Sequence, residues 1–389
     1  MAGIDRATHN NIFGMLLPSQ VVAPISGPTL QTNNFNNVWG STAGFLVSWE
    51  PFDFGLRRAN VAAAEATRER AQAGIARTQL EVETLTADAF LTILASQETV
   101  KASQAGVDRA AVLVRIVGAL VQAQLRPGAE LSRAQAEEAA ARTQLIRAQQ
   151  AVEEGRAVLG QFIGKDPAQI HIAAGSLLEM AADTSAPSHS LTSNPLALEQ
   201  HAVVDEAKAR LHVLDRSYFP RFNLQEVEYA RGTGILPNGT ALGGLNGLGP
   251  SVQNWGIGFT MTFPLLDLPS IRAKQAVQSA IIRAESSRYD QTLAELTGRL
   301  NTAKAQLAGA RRMAENTPLQ VEAARAATRQ ATARYEAGLG AIVEVADAQR
   351  LLTEAEIDDS LARLAIWRAK LTLAAAEGDL QPFLQEANK

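Results

Sequence analysis

The chain has 389 residues, room for two or three ordinary domains, and a nearly balanced charge of −4. That balance gives no reason to expect nucleic acid or an anionic surface as a partner. The absence of cysteine excludes disulfides, thiolate catalysis and Cys-ligated metal.

No stretch of about 18 apolar residues occurs, so no transmembrane helix is expected. Residues 1–20 carry one Arg and no apolar core ending in small residues, so they do not read as a signal peptide. A first strand is expected around residues 9–17, followed by a polar link over 21–38. In the next segment Ala43, Phe45, Val47 and Trp49 alternate with Thr42, Gly44, Leu46, Ser48 and Glu50. Period two puts the large apolar set on one face of a strand and the smaller set on the other. Residues 56–125 contain no proline and are dominated by strong helix formers. Within them Ile93, Val100, Val107, Val114 and Val121 fall seven apart, the mark of a coiled-coil seam. Arg126-Pro127-Gly128 breaks this helix, and a second runs over 129–162 to Gly164-Lys165-Asp166-Pro167. Residues 170–193 read as a connector, and 194–216 as a helix leading into a strand at 221–230.

A Gly-rich loop follows, with no Gly-Lys-Ser/Thr to make it a phosphate cradle. In the last strand Trp255, Ile257, Phe259, Met261 and Phe263 alternate with Gly256, Gly258, Thr260 and Thr262. Helices are expected over 270–335 and 342–377, parted by Gly338 and Gly340. The five histidines form no ligand or catalytic cluster, so no enzyme activity and no cofactor or metal is expected.

The chain repeats itself. A shift of 214 positions pairs Gly44-Phe45 with Gly258-Phe259, Arg58-Ala59 with Arg272-Ala273, Glu130 with Glu344 and Leu159 with Leu373. The expected organisation is a first repeat at 1–169 (strand pair 7–53, helical hairpin 55–164) and a connector at 170–193. A second repeat follows at 194–380 (helix 194–217, strand pair 220–264, hairpin 269–378), then a tail at 381–389. The counterpart of the helix at 194–216 would start before residue 1, so the first copy is expected to lack its opening helix. The fold class is mainly α with a small β part. Strands of about 9–11 alternating residues with aromatics suit a membrane β-sheet, with Phe45, Val47, Trp49, Trp255, Ile257, Phe259, Met261 and Phe263 facing lipid. Four strands cannot close a barrel, and an open edge cannot sit in lipid, so several chains would share one barrel. The competing reading is a soluble or periplasmic coiled-coil adaptor or scaffold, which has no use for paired aromatic strands.

Together, Tyr218-Phe219-Pro220 at a helix-to-strand junction, Pro-Gly-Ala-Glu-Leu-Ser-Arg-Ala at 127–134 and Tyr-Glu-Ala-Gly-Leu-Gly-Ala-Ile-Val-Glu-Val-Ala-Asp-Ala-Gln at 335–349 resemble the TolC-like outer-membrane efflux family. The resemblance covers most of the chain. It implies a homotrimer in the outer membrane of a Gram-negative bacterium, with a twelve-stranded barrel and a helical tunnel across the periplasm. It also implies an adaptor (membrane fusion) protein and an inner-membrane pump as partners, in tripartite efflux or type I secretion. By the same resemblance Glu344 and Asp347 ring the periplasmic entrance and Tyr335 holds the gate. Arg126, Pro127, Gly128, Leu131, Ser132, Gly338, Leu339 and Gly340 form the hairpin tips that meet adaptor or pump. Where some members carry an Arg this chain has Gly340, and where some carry an Asp it has Ser132, so that particular closing network is not expected here.

Overall fold

The structure, a computed structural model, describes residues 2–8, 37–178, 190–236 and 238–388. It is mainly helical with one small antiparallel sheet, the class read from the sequence. The elements are β1 (Ala2–Thr8), β2 (Asn37–Trp49), α1 (Leu56–Gln122), α2 (Gly128–Ile163), α3 (Pro195–Arg216), β3 (Arg221–Thr233), β4 (Val252–Thr262), α4 (Leu268–Glu336), α5 (Ile342–Glu377) and α6 (Gln381–Ala387). Among the described residues no helix is long and apolar enough to cross a membrane. The chain forms two compact units, Met1–Ala66 with Glu206–Ile282 and Thr67–Asp205 with Arg283–Lys389.

The first unit holds the sheet, in the order β1-β2-β3-β4 with every neighbour antiparallel. Gly44 permits the close approach of β2 to β3. A Cβ there would lie 2.5 Å from the Glu228 carbonyl oxygen. Where β2 gives way to α1, Asp53 caps the helix, accepting from the amides of Gly55 (3.1 Å) and Arg57 (2.8 Å). Those two amides, Arg57 first, hold the Asp53 carboxyl below its ordinary value. Phe54 stacks on Phe219 with centroids 5.2 Å apart, so the β2-to-α1 and α3-to-β3 junctions share one aromatic contact.

The strand expected at residues 9–17 lies outside the described residues, and the segment that pairs with β2 is Ala2–Thr8. Register explains the difference. Partners in β1/β2 have numbers summing to 45 (Ala2↔Ala43), whereas β3/β4 partners sum to 483 (Arg221↔Thr262), which becomes 55 after 2 × 214 is subtracted. The register of the first pair is therefore offset by ten residues from that of the second, and the repeat cannot be carried through both pairs without a gap.

In the second unit the long helices pack through small clusters. Ile93, Val152, Leu159 and Ile170 form one, and Leu91, Leu94, Trp367, Leu371, Leu380 and Phe383 another. Every residue of the heptad seam from Ile93 to Val121 is buried or half-buried, as a 3.5-residue stripe requires. Alanine supplies much of the remaining contact: Ala310, Ala314, Ala362 and Ala369 pack together with Ile366. Polar ties fix the register of the helices. Arg109 on α1 donates to Thr353 (2.7 Å) and Glu356 (3.0 Å) on α5, and Arg325 on α4 lies 3.5 Å from the same Glu356. Residues 381–389, read as a tail, contain α6, tied to α5 by an ion pair between Lys370 and Glu386, both largely buried.

The repeat persists in backbone detail. Gly164 and Gly378, 214 apart, end α2 and α5 with φ of +66° and +86°. Gln124 and Gly338, also 214 apart, take φ of +60° and +75° just past α1 and α4. The same two bonds close both turns: Gln124 to Val121 (2.9 Å) and Leu125 to Leu120 (2.8 Å), Gly338 to Tyr335 (3.0 Å) and Leu339 to Arg334 (2.8 Å). These are helix ends of the Schellman kind.

Candidate functional site: the hairpin tips and the apolar sheet face

At the tips, Tyr335 at the end of α4 is 1% exposed and packs with Leu113, Val117, Ala134, Ile342 and Val345. A buried phenol needs a partner, and its hydroxyl donates to Glu130 of α2 at 2.8 Å. Burial first, then the Glu130 carboxylate, pushes Tyr335 up to about 12, so it remains a neutral donor across the physiological range. Arg126 completes the contact. Its Nη2 donates to the Tyr335 carbonyl at 3.1 Å, its guanidinium stands 4.8 Å from the ring centroid, and Nη1 lies 3.8 Å from Glu130. The first hairpin tip thus grips the last turn of α4 through a cation–π contact, a charge-assisted hydrogen bond and an ion pair.

Of the tip residues named from the sequence, this contact joins Arg126 and Tyr335. Leu131 packs beside them, whereas Ser132 only donates to its own helix, to Gly128 at 3.4 Å. Pro127 precedes the first residue of α2 in extended backbone and caps it without a side-chain bond, and Gly128 faces open space. Gly338 makes the left-handed turn, Leu339 is 73% exposed, and a Cβ on Gly340 would lie 3.2 Å from that of Arg334. Glu344 and Asp347 are exposed on α5, Glu344 3.6 Å from Arg334 and Asp347 3.5 Å from Arg350. In the sequence Glu130 stands in the 127–134 tip motif and as the repeat partner of Glu344. Its pairing with Tyr335 depends on tertiary packing.

In the sheet, directly opposed residues share a face. Phe45↔Glu228↔Trp255, Val47↔Glu226↔Ile257 and Trp49↔Leu224↔Phe259 are three successive rows of one face. Met261 extends it, and Phe263 just past β4 is exposed as well. The large apolar side chains of this face in β2 and β4, from Phe45 to Trp49 and from Trp255 to Met261, are exposed, up to 78% for Trp255. The opposite face carries Gly44, Ser48, Gln225, Tyr229, Asn254, Gly256, Gly258 and Thr260, with Leu46 and Val227 as its large aliphatic residues. The alternation read from the sequence is thus one continuous face across two strands. The intervening β3 places two glutamates on it, which the sequence reading had not assigned. Leu224, Glu226 and Glu228 do alternate in the sequence, but only the register says which face they join.

The combination of long antiparallel helices, close-packed through alanine, with a small open sheet that exposes an aromatic face is that of an outer-membrane channel protomer. The chain belongs to the outer membrane efflux protein family, whose profile matches residues 26–165 and 186–379. It is 27% identical over 352 residues to the cobalt-zinc-cadmium resistance protein CzcC of Cupriavidus metallidurans, which covers 88% of this chain and 78% of that one. Its fold is that of the CmeC outer membrane channel of Campylobacter jejuni (TM-score 0.75, 16% identity, 100% of this chain and 80% of that one). It is also that of the MtrE outer membrane channel of Neisseria gonorrhoeae in its open state (TM-score 0.73, 17% identity, 97% and 79%). The family is one of channels rather than enzymes.

Proposed function

We propose that three copies of this chain assemble into one outer-membrane exit duct that an adaptor protein and an inner-membrane pump engage from the periplasm, in tripartite efflux or type I secretion. The observation that carries this reading is the sheet. Among the described residues its edge strands, β1 and β4, each have a side without a partner strand, and one face exposes large apolar side chains from Phe45 to Trp49 and from Trp255 to Met261. Unpaired edges are not tolerated in lipid, so the sheet closes only by edge-to-edge joining with other copies, and three sets of four strands make a barrel of twelve. Glu344 and Asp347, three apart on α5, share one helix face. Repeated threefold they form an acidic ring at the periplasmic entrance, which favours cations. The name of the CzcC relative and this ring together support divalent metal cations as cargo. The Arg126–Glu130–Tyr335 contact holds the two tips of each protomer together and takes the place of a network through Gly340 and Ser132. The tips and the exposed Leu339 are where adaptor or pump docks.

Two measurements test the reading. Light scattering of the detergent-solubilised protein should give three chains per particle, and planar bilayers should show cation-selective conductance. A monomer in detergent, or partition into the soluble fraction, overturns the three-chain duct. Loss of metal resistance on deleting the gene, restored by the intact gene alone, is the outcome expected in cells.

A further inference from the structure

The apolar face of the sheet is too short for the layer it would span. From Phe263 to Trp255 is eight residues, about 26 Å along a strand, and about 20 Å along the membrane normal at a tilt near 40°, against an apolar band of about 25 Å. Its upper margin is also interrupted. Glu228 lies between Phe45 and Trp255, and Glu226 between Val47 and Ile257. Both are exposed, with no hydrogen bond or ion pair among the described residues. Above them the face thins to Ala43, Ala230 and Gln253. The missing depth therefore lies on the other side, toward the helices.

There the two repeats present the same device. Phe52 and Leu266, 214 apart, are 68% and 96% exposed, and Leu265 is 61% exposed. None lies in a strand, so sheet periodicity does not explain their exposure. Six residues further on, Arg58 and Arg272, again 214 apart, are exposed near the starts of α1 and α4. Large apolar groups in water followed by cations at one level are the arrangement that suits hydrocarbon bordered by lipid phosphate.

We propose that Phe52, Leu265 and Leu266 form a collar immersed in the periplasmic leaflet, with Arg58 and Arg272 on its phosphates, and that the hydrocarbon ends above at the rows of Glu226 and Glu228. The bilayer is seated lower on this protein than the strands alone indicate, overlapping the strand-to-helix junctions. The proposal rests on the membrane reading above and specifies the lipid surface that reading requires.

Because the chain has no cysteine, single cysteines at 259, 266 and 228 carry a fluorophore without background. In the full chain reconstituted into phosphatidylethanolamine/phosphatidylglycerol vesicles, lipids brominated on their acyl chains should quench 259 and 266 to a similar extent and leave 228 bright. Quenching at 259 with none at 266, or equal quenching at 259 and 228, overturns the collar and keeps the barrel. No quenching at 259 overturns the membrane reading itself. Leu266→Asp combined with Phe52→Asp should reduce recovery in the vesicle fraction, and Leu266→Met with Phe52→Leu should restore it.

Discussion

Single side chains carry the contact at the tips. Tyr335→Phe keeps the buried ring and its place over Arg126 but leaves Glu130 without its donor. A cost of about 1–3 kcal/mol is expected from urea midpoints, as for hydrogen bonds to charged groups, whereas Tyr335→Ala should cost about 3–5 kcal/mol through the cavity it leaves. The pH behaviour of the two shifted groups has opposite sign. Tyr335, raised to about 12 by burial and then by Glu130, contributes stability that is complete below its ordinary value of 10 and lost as pH rises through 12, so neutral conditions do not touch it. Asp53, lowered first by the amide of Arg57, contributes above the ordinary carboxylate range and loses that contribution as the medium is acidified through its depressed value. Asp53→Asn should flatten the acid limb of a stability–pH curve, and an unchanged limb would remove the cap from the account. Gln124 sits at φ +60° where its repeat partner is Gly338. Gln124→Gly should therefore stabilise by about 1 kcal/mol in thermal unfolding, since the left-handed region penalises a Cβ.

At the scale of elements, the helices were legible because local chemistry and global packing agree. α5 spans Ile342–Glu377, the range read from the sequence, because Gly340 and Gly378 bracket it and the stretch between contains neither Gly nor Pro. α4 was legible despite Pro318, which removes one amide donor but does not end the helix. β1 was not legible. Ala2–Thr8 was not read as a strand, because its pairing with β2 is offset by ten residues from that of the second hairpin, a register that no local signal encodes; the strand expected at 9–17 lies outside the described residues. α6 was also missed, since seven residues give little periodicity. Its position is set by Phe383 in the Trp367 cluster and by the Lys370–Glu386 pair. Breaking that pair with Lys370→Ala strands a carboxylate in a largely buried site, and a loss of about 3–5 kcal/mol is expected. The double replacement Lys370→Met with Glu386→Leu should recover most of it. If single and double variants unfold alike, the pair does not anchor α6.

For the whole molecule, the sheet and the tips contribute different properties of one proposed duct. Replacing both Glu344 and Asp347 by their amides should reduce cation preference in reversal-potential measurements while leaving the trimer and its melting point intact. Neutral substitutions at Arg126 should instead raise the open fraction of single-channel records with selectivity unchanged. A variant that altered both properties together would show that ring and latch are one structure.

The latch also bears on how such a chain evolves. Arg126 and Glu130 come from the first copy of the plan and Tyr335 from the second, while the positions that mirror Arg126 and Tyr335 hold Gly340 and Val121. Neither half carries both sides of the lock. An ancestor built from identical halves would have had all of these residues in each half or in neither, so the present division records specialisation after duplication. The expected consequence is that two first copies, or two second copies, fused head to tail would reproduce the helices and the sheet and yet fail to latch.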